Sequence, residues 1–206
     1  MLSIIIPAYN EERTIHLILD KVRDVVLIGD LTKEIIIVND CSSDNTAGAV
    51  QRYSSANPGL NIQYYAHEVN KGKGAALHTG IAKATGKYLI IQDADLEYDP
   101  EEFNDLLKPV LAGFADVVYG SRFQGSKPHR ILFFWHTIGN KFLTTLSNMF
   151  TNLNLTDMET CYKLFRTEII QGLTLTEKRF GVEPEVTAKP TRLQTISNNK
   201  AATATK

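Results

Sequence analysis

Cysteine is scarce in this chain of 206 residues, which has only Cys41 and Cys161. The two lie far apart, so the sequence offers neither a C-x-x-C metal motif nor the framework of a disulfide-rich secreted domain. Long apolar runs are also missing, since no stretch approaches the roughly 18 residues of a membrane-spanning helix. The N-terminus lacks the basic start and long apolar core of a signal peptide. We therefore expect a cytoplasmic protein with reduced thiols.

Neither sign of charge dominates, because 22 Lys and Arg residues nearly balance 23 Asp and Glu residues. The net charge of −1 gives no overall attraction to nucleic acid, so we expect no nucleic-acid partner. Two glycine-rich phosphate fingerprints are absent as well, namely G-x-G-x-x-G after a strand and G-x-x-x-x-G-K-S/T. These absences argue against a dinucleotide-dependent dehydrogenase and against a P-loop NTPase.

Apolar residues are plentiful, at 43% of the chain against 22% charged ones. This composition is typical of a globular domain, and the length suggests a single one. Short runs rich in β-branched residues alternate with segments of helical periodicity, and each run is apolar throughout. The pattern predicts an α/β fold, a mainly parallel sheet with helices on both faces. The predicted strands are 2–6, 34–38, 61–67, 87–92 and 115–120.

Polar segments follow three of the predicted strands, at the points where those strands end. They are 9–12 after the first strand, 39–46 after the second and 92–99 after the fourth. Ligands of parallel α/β sheets bind beyond the carboxyl ends of the strands. We therefore expect these three segments to converge on one binding site.

The last of these segments carries Asp93, Asp95, Glu97 and Asp99, four carboxylates in seven residues. Such a cluster after a buried strand is costly unless a cation lies among the charges. Mg²⁺ is commonly held by one or two carboxylates together with substrate phosphates, so Asp93 and Asp95 are candidate ligands of Mg²⁺ or Mn²⁺. Asp99, which precedes Pro100, is a candidate helix cap. An Asp-x-Asp pair alone is a weak signal, because about 0.6 chance matches are expected in this chain. The position of the pair, directly after a buried strand, makes the prediction of a metal site more specific.

Six motifs, in order, resemble those of the family-2 glycosyltransferases, in particular the branch of dolichol-phosphate mannose synthases and related polyprenyl-phosphate glycosyltransferases. The similarity extends from about residue 2 to residue 189. The motifs are SIIIPAYNEERTI, IIIVNDCSSDNT, NKGKGAALHTGIAKATGKYLIIQDADLEYDPEE, ADVVYGSRF, DMETCYKLFR and RFGVEPEVTAK. The resemblance implies a glycosyltransferase A-type, Rossmann-like fold. It also implies an inverting, metal-dependent enzyme that moves a sugar from a UDP- or GDP-linked donor to an acceptor, here a polyprenyl or dolichyl phosphate.

The resemblance further implies roles for residues at matching positions. Asp95 is implied as the main metal ligand and a catalytic residue, beside Asp93, with Glu97 as a further ligand. Ser121 and Arg122 are implied near the acceptor. The motif that closes the donor site contains Asp157, Glu159 and Tyr162. The residues implied to bind the nucleotide are Pro7, Ala8, Tyr9, Glu11, Asp40, Lys73, Asp93 and Ala94.

Three of these residues have simpler explanations that the sequence leaves open. Tyr9 also fits a core aromatic at the end of a strand, and Glu159 also fits an acid that is merely exposed. Lys73 fits a solvated charge at the start of a helix. Motif matches alone do not separate these alternatives from the binding roles.

The chemistry of the acceptor decides which further residues the reaction needs. A lipid phosphate is already anionic at neutral pH, so it needs positioning by cations more than it needs a general base. The basic run of Arg122, Lys127 and Arg130 suits such an acceptor, and Arg122 is therefore a catalytic candidate. A sugar hydroxyl would instead need a carboxylate base, for which Asp157 and Glu159 are the candidates.

The segment 131–150 is aromatic-rich and follows the basic run. It predicts either an amphipathic helix at a membrane interface or an ordinary helix that covers the sheet. The first alternative makes the protein peripheral on the cytoplasmic face of a membrane.

The C-terminal segment departs from the family's pattern. Pro190 disfavours a continuing helix, and the residues after it are polar and low in complexity. We expect a catalytic domain over 1–189 and a disordered, non-family tail over 190–206, with acceptor binding affected.

Two other functions remain open at this point. A sugar nucleotidyltransferase also uses an α/β nucleotide site with Mg²⁺, although IIIPAYNEER lacks the glycine of its phosphate loop. A truncated protein that binds a nucleotide-sugar without turnover is the second alternative.

Overall fold

The computed structural model describes residues 1–120, 134–158, 160–179, 181–197 and 201–203, with the backbone alone considered at 134–137, 190–197 and 201–203. The strands are β1 (Leu2–Ala8), β2 (Lys33–Asn39), β3 (Ile62–Ala66), β4 (Tyr88–Ile91), β5 (Val117–Tyr119), β6 (Lys163–Arg166) and β7 (Ala201–Thr203). The helices are α1 (Ile15–Asp24), α2 (Thr46–Ala56), α3 (Lys73–Lys83), α4 (Phe103–Leu111), α5 (Phe134–Thr151), α6 (Thr167–Gln171) and α7 (Val182–Ser197).

The described strands form one seven-stranded sheet in the order β3-β2-β1-β4-β6-β5-β7. Neighbours among β3, β2, β1 and β4 are parallel. β6 is antiparallel to both β4 and β5, and β7 pairs with β5 in parallel. The predicted mainly parallel α/β sheet is therefore confirmed.

Burial on β1 shows that both faces of the sheet are covered. Ile4, Ile5 and Ile6 are each 0% exposed. Successive side chains of a strand point to opposite faces, so their joint burial requires packing on both sides. Ile4 lies in register with Ile35 of β2 and Ile90 of β4, which are also buried. Each buried isoleucine contributes ~1.5–3 kcal/mol, and this apolar centre fixes the carboxyl ends of the three strands relative to one another.

Sequence analysis missed β6 as a strand. β5 follows β4 through α4, yet β6 lies between them, antiparallel to both. The segment CYKLFR contains Lys163 and Arg166, which obscure the apolar pattern of a buried strand. Lys163 is nevertheless 0% exposed, so its charge lies inside the fold.

The expectation that Pro190 ends the last helix was wrong, because α7 continues to Ser197. Proline has no N–H, so the carbonyl of Val186 loses its usual helical donor. The hydroxyl of Tyr119 lies 3.4 Å from that carbonyl and donates to it. This contact from β5 gives the freed carbonyl a polar neighbour, and the same hydroxyl lies 3.4 Å from Thr187 Oγ1.

Candidate active site

A cleft of about 420 Å³ lies beyond the carboxyl ends of β1, β2 and β4. It brings together every residue that the resemblance implied for the nucleotide, together with Asp95. These residues are Pro7, Ala8, Tyr9, Glu11, Asp40, Lys73, Asp93, Ala94 and Asp95. Four other residues line the cleft and were not predicted from the sequence, namely Asn70, Gly72, Ala76 and Arg179. Asn70 and Arg179 are each the first residue of a motif quoted above.

The loops after β1 and β2 hold each other in place at the cleft. The backbone N–H of Glu11 donates to Thr46 Oγ1 at 2.9 Å, and that of Asn10 donates to Ser42 Oγ at 2.9 Å. In return, the N–H of Ser43 donates to Asn10 Oδ1 at 2.8 Å. Tyr9, on the braced loop, is 51% exposed, which contradicts the alternative that it is a core aromatic.

Asp40 is buried, and its carboxylate organises the turn before α3. Oδ1 accepts hydrogen bonds from the backbone N–H of Lys71 at 2.9 Å and from His67 Nδ1 at 2.7 Å. Oδ2 accepts from the N–H of Gly72 at 2.6 Å. The resemblance implied that Asp40 binds the nucleotide. In the structure it lines the cleft, and three donors of its own chain already engage its carboxylate.

Gly72 occupies a position where only glycine fits well. Its φ of 94° lies in a region that other residues rarely adopt, and an added Cβ would lie 2.6 Å from the carbonyl oxygen of Lys178. The N–H of Ala75 donates to that same oxygen at 3.1 Å. The segment around Lys178 therefore packs directly on the start of α3 and forms one wall of the cleft, with Arg179 lining it.

Lys73 is paired with the acidic cluster. Its Nζ lies 2.7 Å from Asp93 Oδ1 and 3.7 Å from Glu183 Oε1. Burial lowers the pKa of Lys73, but nearby acidic groups, Asp93 and Glu183 among them, raise it by more, so the net shift is upward. The side chain starts α3 and stays 36% exposed, but its ammonium is paired with Asp93, an acid in the cleft lining, rather than surrounded by water alone.

Asp95 lies at the other side of the acidic cluster. Burial raises the pKa of its carboxyl above the usual range, and the charges of Asp93, Glu97 and Glu11 add to the rise. The backbone N–H of Glu97 donates to Asp95 Oδ1 at 3.0 Å and opposes this shift. The region around Asp95 therefore has an excess of negative charge that a cation would stabilise.

Two further residues of the acidic segment do not line the cleft. Glu97 is exposed and is not among the residues that line the cleft. Asp99 accepts a hydrogen bond from the N–H of Glu101 at 3.4 Å and precedes Pro100, as expected for a helix cap.

Two of the remaining predicted residues, Asp157 and Tyr162, are described by the structure and do not line the cleft. Asp157 is 1% exposed, accepts a hydrogen bond from Asn140 Nδ2 at 2.8 Å, and is absent from the cleft lining. Tyr162 is also buried and donates to Gln92 Oε1 at 2.9 Å, directly beneath the acidic segment. The four acceptor candidates lie outside the described residues, as does Glu159. Those four are Ser121, Arg122, Lys127 and Arg130.

Sequence reasoning also missed an ion pair behind the cleft. The ammonium of Lys163 on β6 contacts Glu183 on α7 and the carbonyl oxygen of Thr160. Two features of the sequence were signals for this pair. One is Lys163 within CYKLFR, and the other is Glu183 within RFGVEPEV. Neither signal indicates by itself that the two side chains meet.

The model of the family named glycosyl transferase family 2 matches residues 3–174, which is most of the chain. This chain belongs to glycosyl transferase family 2. A dolichyl-phosphate beta-glucosyltransferase of Trichomonas vaginalis is 31% identical to this family member over 204 residues, covering 93% of the chain and 62% of the relative. A dolichol-phosphate mannosyltransferase of Pyrococcus furiosus is 28% identical over 189 residues, covering 91% and 52%.

Solved structures show the fold of this family 2 member. A mannosyltransferase of Pyrobaculum calidifontis, solved with GDP-Man and Mn²⁺, has a TM-score of 0.68 at 21% identity. The match covers 98% of this chain and 54% of the mannosyltransferase chain. A glucosyl-3-phosphoglycerate synthase of Mycobacterium tuberculosis, solved with UDP, has a TM-score of 0.72 at 19% identity, covering 99% and 70%. The glycosyltransferase A-type fold implied by the resemblance is therefore confirmed.

This family 2 chain spans 62% and 52% of the lengths of the two curated relatives described above. None of the helices in the described ranges is both long and apolar enough to cross a bilayer.

Proposed function

We propose that this chain transfers a sugar, with inversion at the anomeric carbon, from a UDP- or GDP-linked donor to a polyprenyl or dolichyl phosphate. One observation carries the proposal: loops that are distant in sequence form a single cleft that presents aromatic, cationic and acidic side chains together. The names of the curated relatives support the acceptor class. The nucleotides bound to the solved neighbours support the donor class.

The donor would lie along the cleft with its nucleoside toward the loop after β1. The exposed ring of Tyr9 offers an apolar face to the base or ribose. Asp40 fixes the turn at Gly72 and thereby places Lys73 at the start of α3. The ammonium of Lys73 is the cation that contacts the donor diphosphate in this proposal.

Asp93 and Asp95 fit a divalent cation, Mg²⁺ or Mn²⁺. The raised pKa of Asp95 reflects burial and neighbouring negative charge, and both groups offer the carboxylate oxygens that hard cations prefer. Within the described parts of the chain, no three His, Cys, Asp or Glu side chains are grouped to hold a metal ion by themselves. This fits a site completed by donor phosphates rather than an all-protein cage. When bound, the ion would neutralise charge that develops on the departing nucleoside diphosphate.

Inversion follows from a single displacement in which the acceptor oxygen attacks the face of the sugar opposite the leaving group. A lipid phosphate needs no proton removed before it attacks. In this proposal Arg122 positions the phosphate, with Ser121, Lys127 and Arg130 completing the acceptor site. The buried, hydrogen-bonded Asp157 does not act as a base on such an acceptor.

The acceptor's lipid chain implies contact with a membrane surface. The described part of α5 exposes Phe142, Leu146, Met149 and Phe150, which recur at helical spacing on one side. We propose that this side of α5 lies against the cytoplasmic face of a membrane, with the protein attached peripherally.

The test is to measure UDP or GDP release from a panel of nucleotide-sugars with Mn²⁺, with and without polyprenyl phosphate. The proposal expects release that depends on the lipid phosphate, and a product whose anomeric configuration is opposite to that of the donor. Formation of nucleotide-sugar from sugar phosphate, with pyrophosphate released, would favour a sugar nucleotidyltransferase. Donor binding without any release would favour a binding protein.

A further inference from the structure

Four side chains of alternating charge form a row of ion pairs that extends from the cleft into the interior. Lys73 Nζ lies 2.7 Å from Asp93 Oδ1 and 3.7 Å from Glu183 Oε1. The other carboxylate oxygen of Glu183 contacts the ammonium of Lys163. Glu183 thus joins the acidic cluster on the loop after β4 to a lysine on β6.

Because these side chains are partly or fully buried, each charge in the row depends on its neighbour of opposite sign. The side chain of Lys163 is 0% exposed and that of Glu183 is 17% exposed, so neither charge is well solvated. A buried ammonium requires a counter-charge, and Glu183 supplies it. Glu183 is therefore held on one side by Lys163, and its free oxygen faces Lys73.

The backbone fixes the distance between Glu183 and Lys73. An added Cβ on Gly74 would lie 2.6 Å from the carbonyl oxygen of Glu177, and the N–H of Ala75 donates to Lys178 O at 3.1 Å. The segment leading into α7 is consequently seated on the first turn of α3. This contact places the first turn of α7, which carries Glu183, beside Lys73.

We propose that Glu183 is a positioning residue of the donor site, which holds the Lys73 ammonium and, through it, the Asp93 carboxylate. This inference rests on the proposed function. Without Glu183, Lys73 would have Asp93 as its only partner among the contacts described here and would neutralise that carboxylate more fully. Asp93 would then be a poorer ligand for a divalent cation. Residues that orient metal ligands typically contribute about 10–100-fold to metal affinity.

The experiment measures Mn²⁺ binding by the loss of the free Mn²⁺ signal in electron paramagnetic resonance, with saturating UDP or GDP. Glu183→Gln alone leaves Lys163 without a counter-charge and is expected to lower the melting temperature. The informative variant is therefore the double substitution Glu183→Gln with Lys163→Met, which removes both buried charges. We expect it to fold and to bind Mn²⁺ about tenfold more weakly than the wild type.

Three control variants separate positioning from general stability. Lys163→Met alone keeps the Glu183 carboxylate beside Lys73, so Mn²⁺ affinity should fall by clearly less than in the double variant. Glu183→Asp retains the charge and should recover part of the affinity. Glu185→Gln removes a carboxylate of the same helix that contacts Thr176 and Lys189 instead, so it should lower stability and leave Mn²⁺ affinity unchanged.

The outcomes distinguish this inference from the function on which it rests. A folded double variant with wild-type Mn²⁺ affinity would overturn the inference alone. A Lys163→Met variant that loses as much Mn²⁺ affinity as the double variant would also overturn the inference. The affinity would then depend on the intact buried ion pair and not on the Glu183 carboxylate beside Lys73. If the wild type itself shows no Mn²⁺ binding that depends on UDP or GDP, the proposed function fails and the inference fails with it.

Discussion

At the scale of single residues, the two aspartates of the Asp-x-Asp pair differ in their surroundings. Asp93 has a cation of its own chain, Lys73, at 2.7 Å. Among the residues that the structure describes, Asp95 has a backbone donor at 3.0 Å, and the nearby charges that act on it are those of other acids. This difference makes Asp95 the carboxylate whose charge most needs an external cation, and it motivates the first prediction.

Asp95→Ala should abolish the part of UDP or GDP binding that depends on Mn²⁺, because it removes the oxygen donors nearest the excess negative charge. Isothermal calorimetry with and without Mn²⁺ measures this. Asp99→Ala is the matched control, since Asp99 caps a helix and does not line the cleft. It should cost about 1 kcal/mol of stability and leave binding unaltered. Metal-dependent affinity that survives in Asp95→Ala would contradict the site assignment.

At the scale of secondary-structure elements, α7 is tied to the preceding loop through Glu185. Its carboxylate accepts hydrogen bonds from the N–H groups of Thr176 and Glu177 at 2.9 Å and contacts Lys189 Nζ at 2.6 Å. Burial raises the pKa of Glu185, but these partners lower it by more, from 4.5 to about 2. A depressed pKa in the folded state stabilises the protein above the unfolded pKa, and the contribution is lost as pH falls toward the folded pKa.

Glu185→Gln should therefore be less stable than the wild type at pH 7, by ~2–3 kcal/mol, since one pKa unit corresponds to ~1.4 kcal/mol. The difference should shrink as pH falls from 4.5 toward 2. Urea unfolding followed by circular dichroism between pH 7 and pH 3 measures it. Glu168→Gln, at an exposed acid on α6, should show no such trend. If the difference in the free energy of unfolding between the wild type and Glu185→Gln stays constant down to pH 3, the ionised carboxylate contributes little to stability.

The helix α5 differs from the other elements in the apolar surface that it presents. Phe150 is 83% exposed and Met149 is 76% exposed, whereas the side chains of the central strands β1 and β4 are mostly buried. Lys141 is exposed on the same helix. An apolar strip beside a positive charge is suited to the boundary of an anionic bilayer.

The wild type should co-sediment with vesicles that contain anionic lipid and should be released by high salt. A variant with serine at Phe142, Met149 and Phe150 should sediment less, because the inserted apolar area is lost. Val26→Ser with Phe114→Ser is the control, since these side chains are also exposed but lie outside α5, in the segments after α1 and α4. Equal sedimentation by all three folded proteins would show that α5 is not the contact.

At the scale of the whole molecule, the boundary near residue 189 stays a prediction. Among the residues of α7 whose side chains the structure describes, Val182, Val186 and Thr187 are buried. A chain that ends at Lys189 should keep its fold and its donor binding, with a melting temperature lowered by less than a few degrees. Thermal melting and calorimetry compare it with the full chain. A larger fall would show that residues 190–206 belong to the domain, through α7 and the β7 pairing with β5.

Much of the molecule was predictable because its central strands are buried on both faces. A strand such as β1 is recognisable locally as a mostly apolar run before a polar loop, although it continues beyond the predicted 2–6, through Pro7 to Ala8. The parallel arrangement follows from the alternation of strands and helices, and the position of the cleft follows from the ends of the strands. The local cap at Asp99 was also predictable, because its partner is two residues away.

The amino-acid sequence by itself determined the parallel half of the sheet and the edge at which the polar loops meet, because short-range periodicity and turn residues encode both. Only the tertiary structure decided that β6 enters between β4 and β5, and that Pro190 lies inside a helix whose freed carbonyl meets Tyr119. It also decided that Glu183 meets both Lys73 and Lys163. The physical reason is that these interactions join segments far apart in the chain. Buried charges are stable only as pairs, and a single segment carries no record of which distant partner completes the pair.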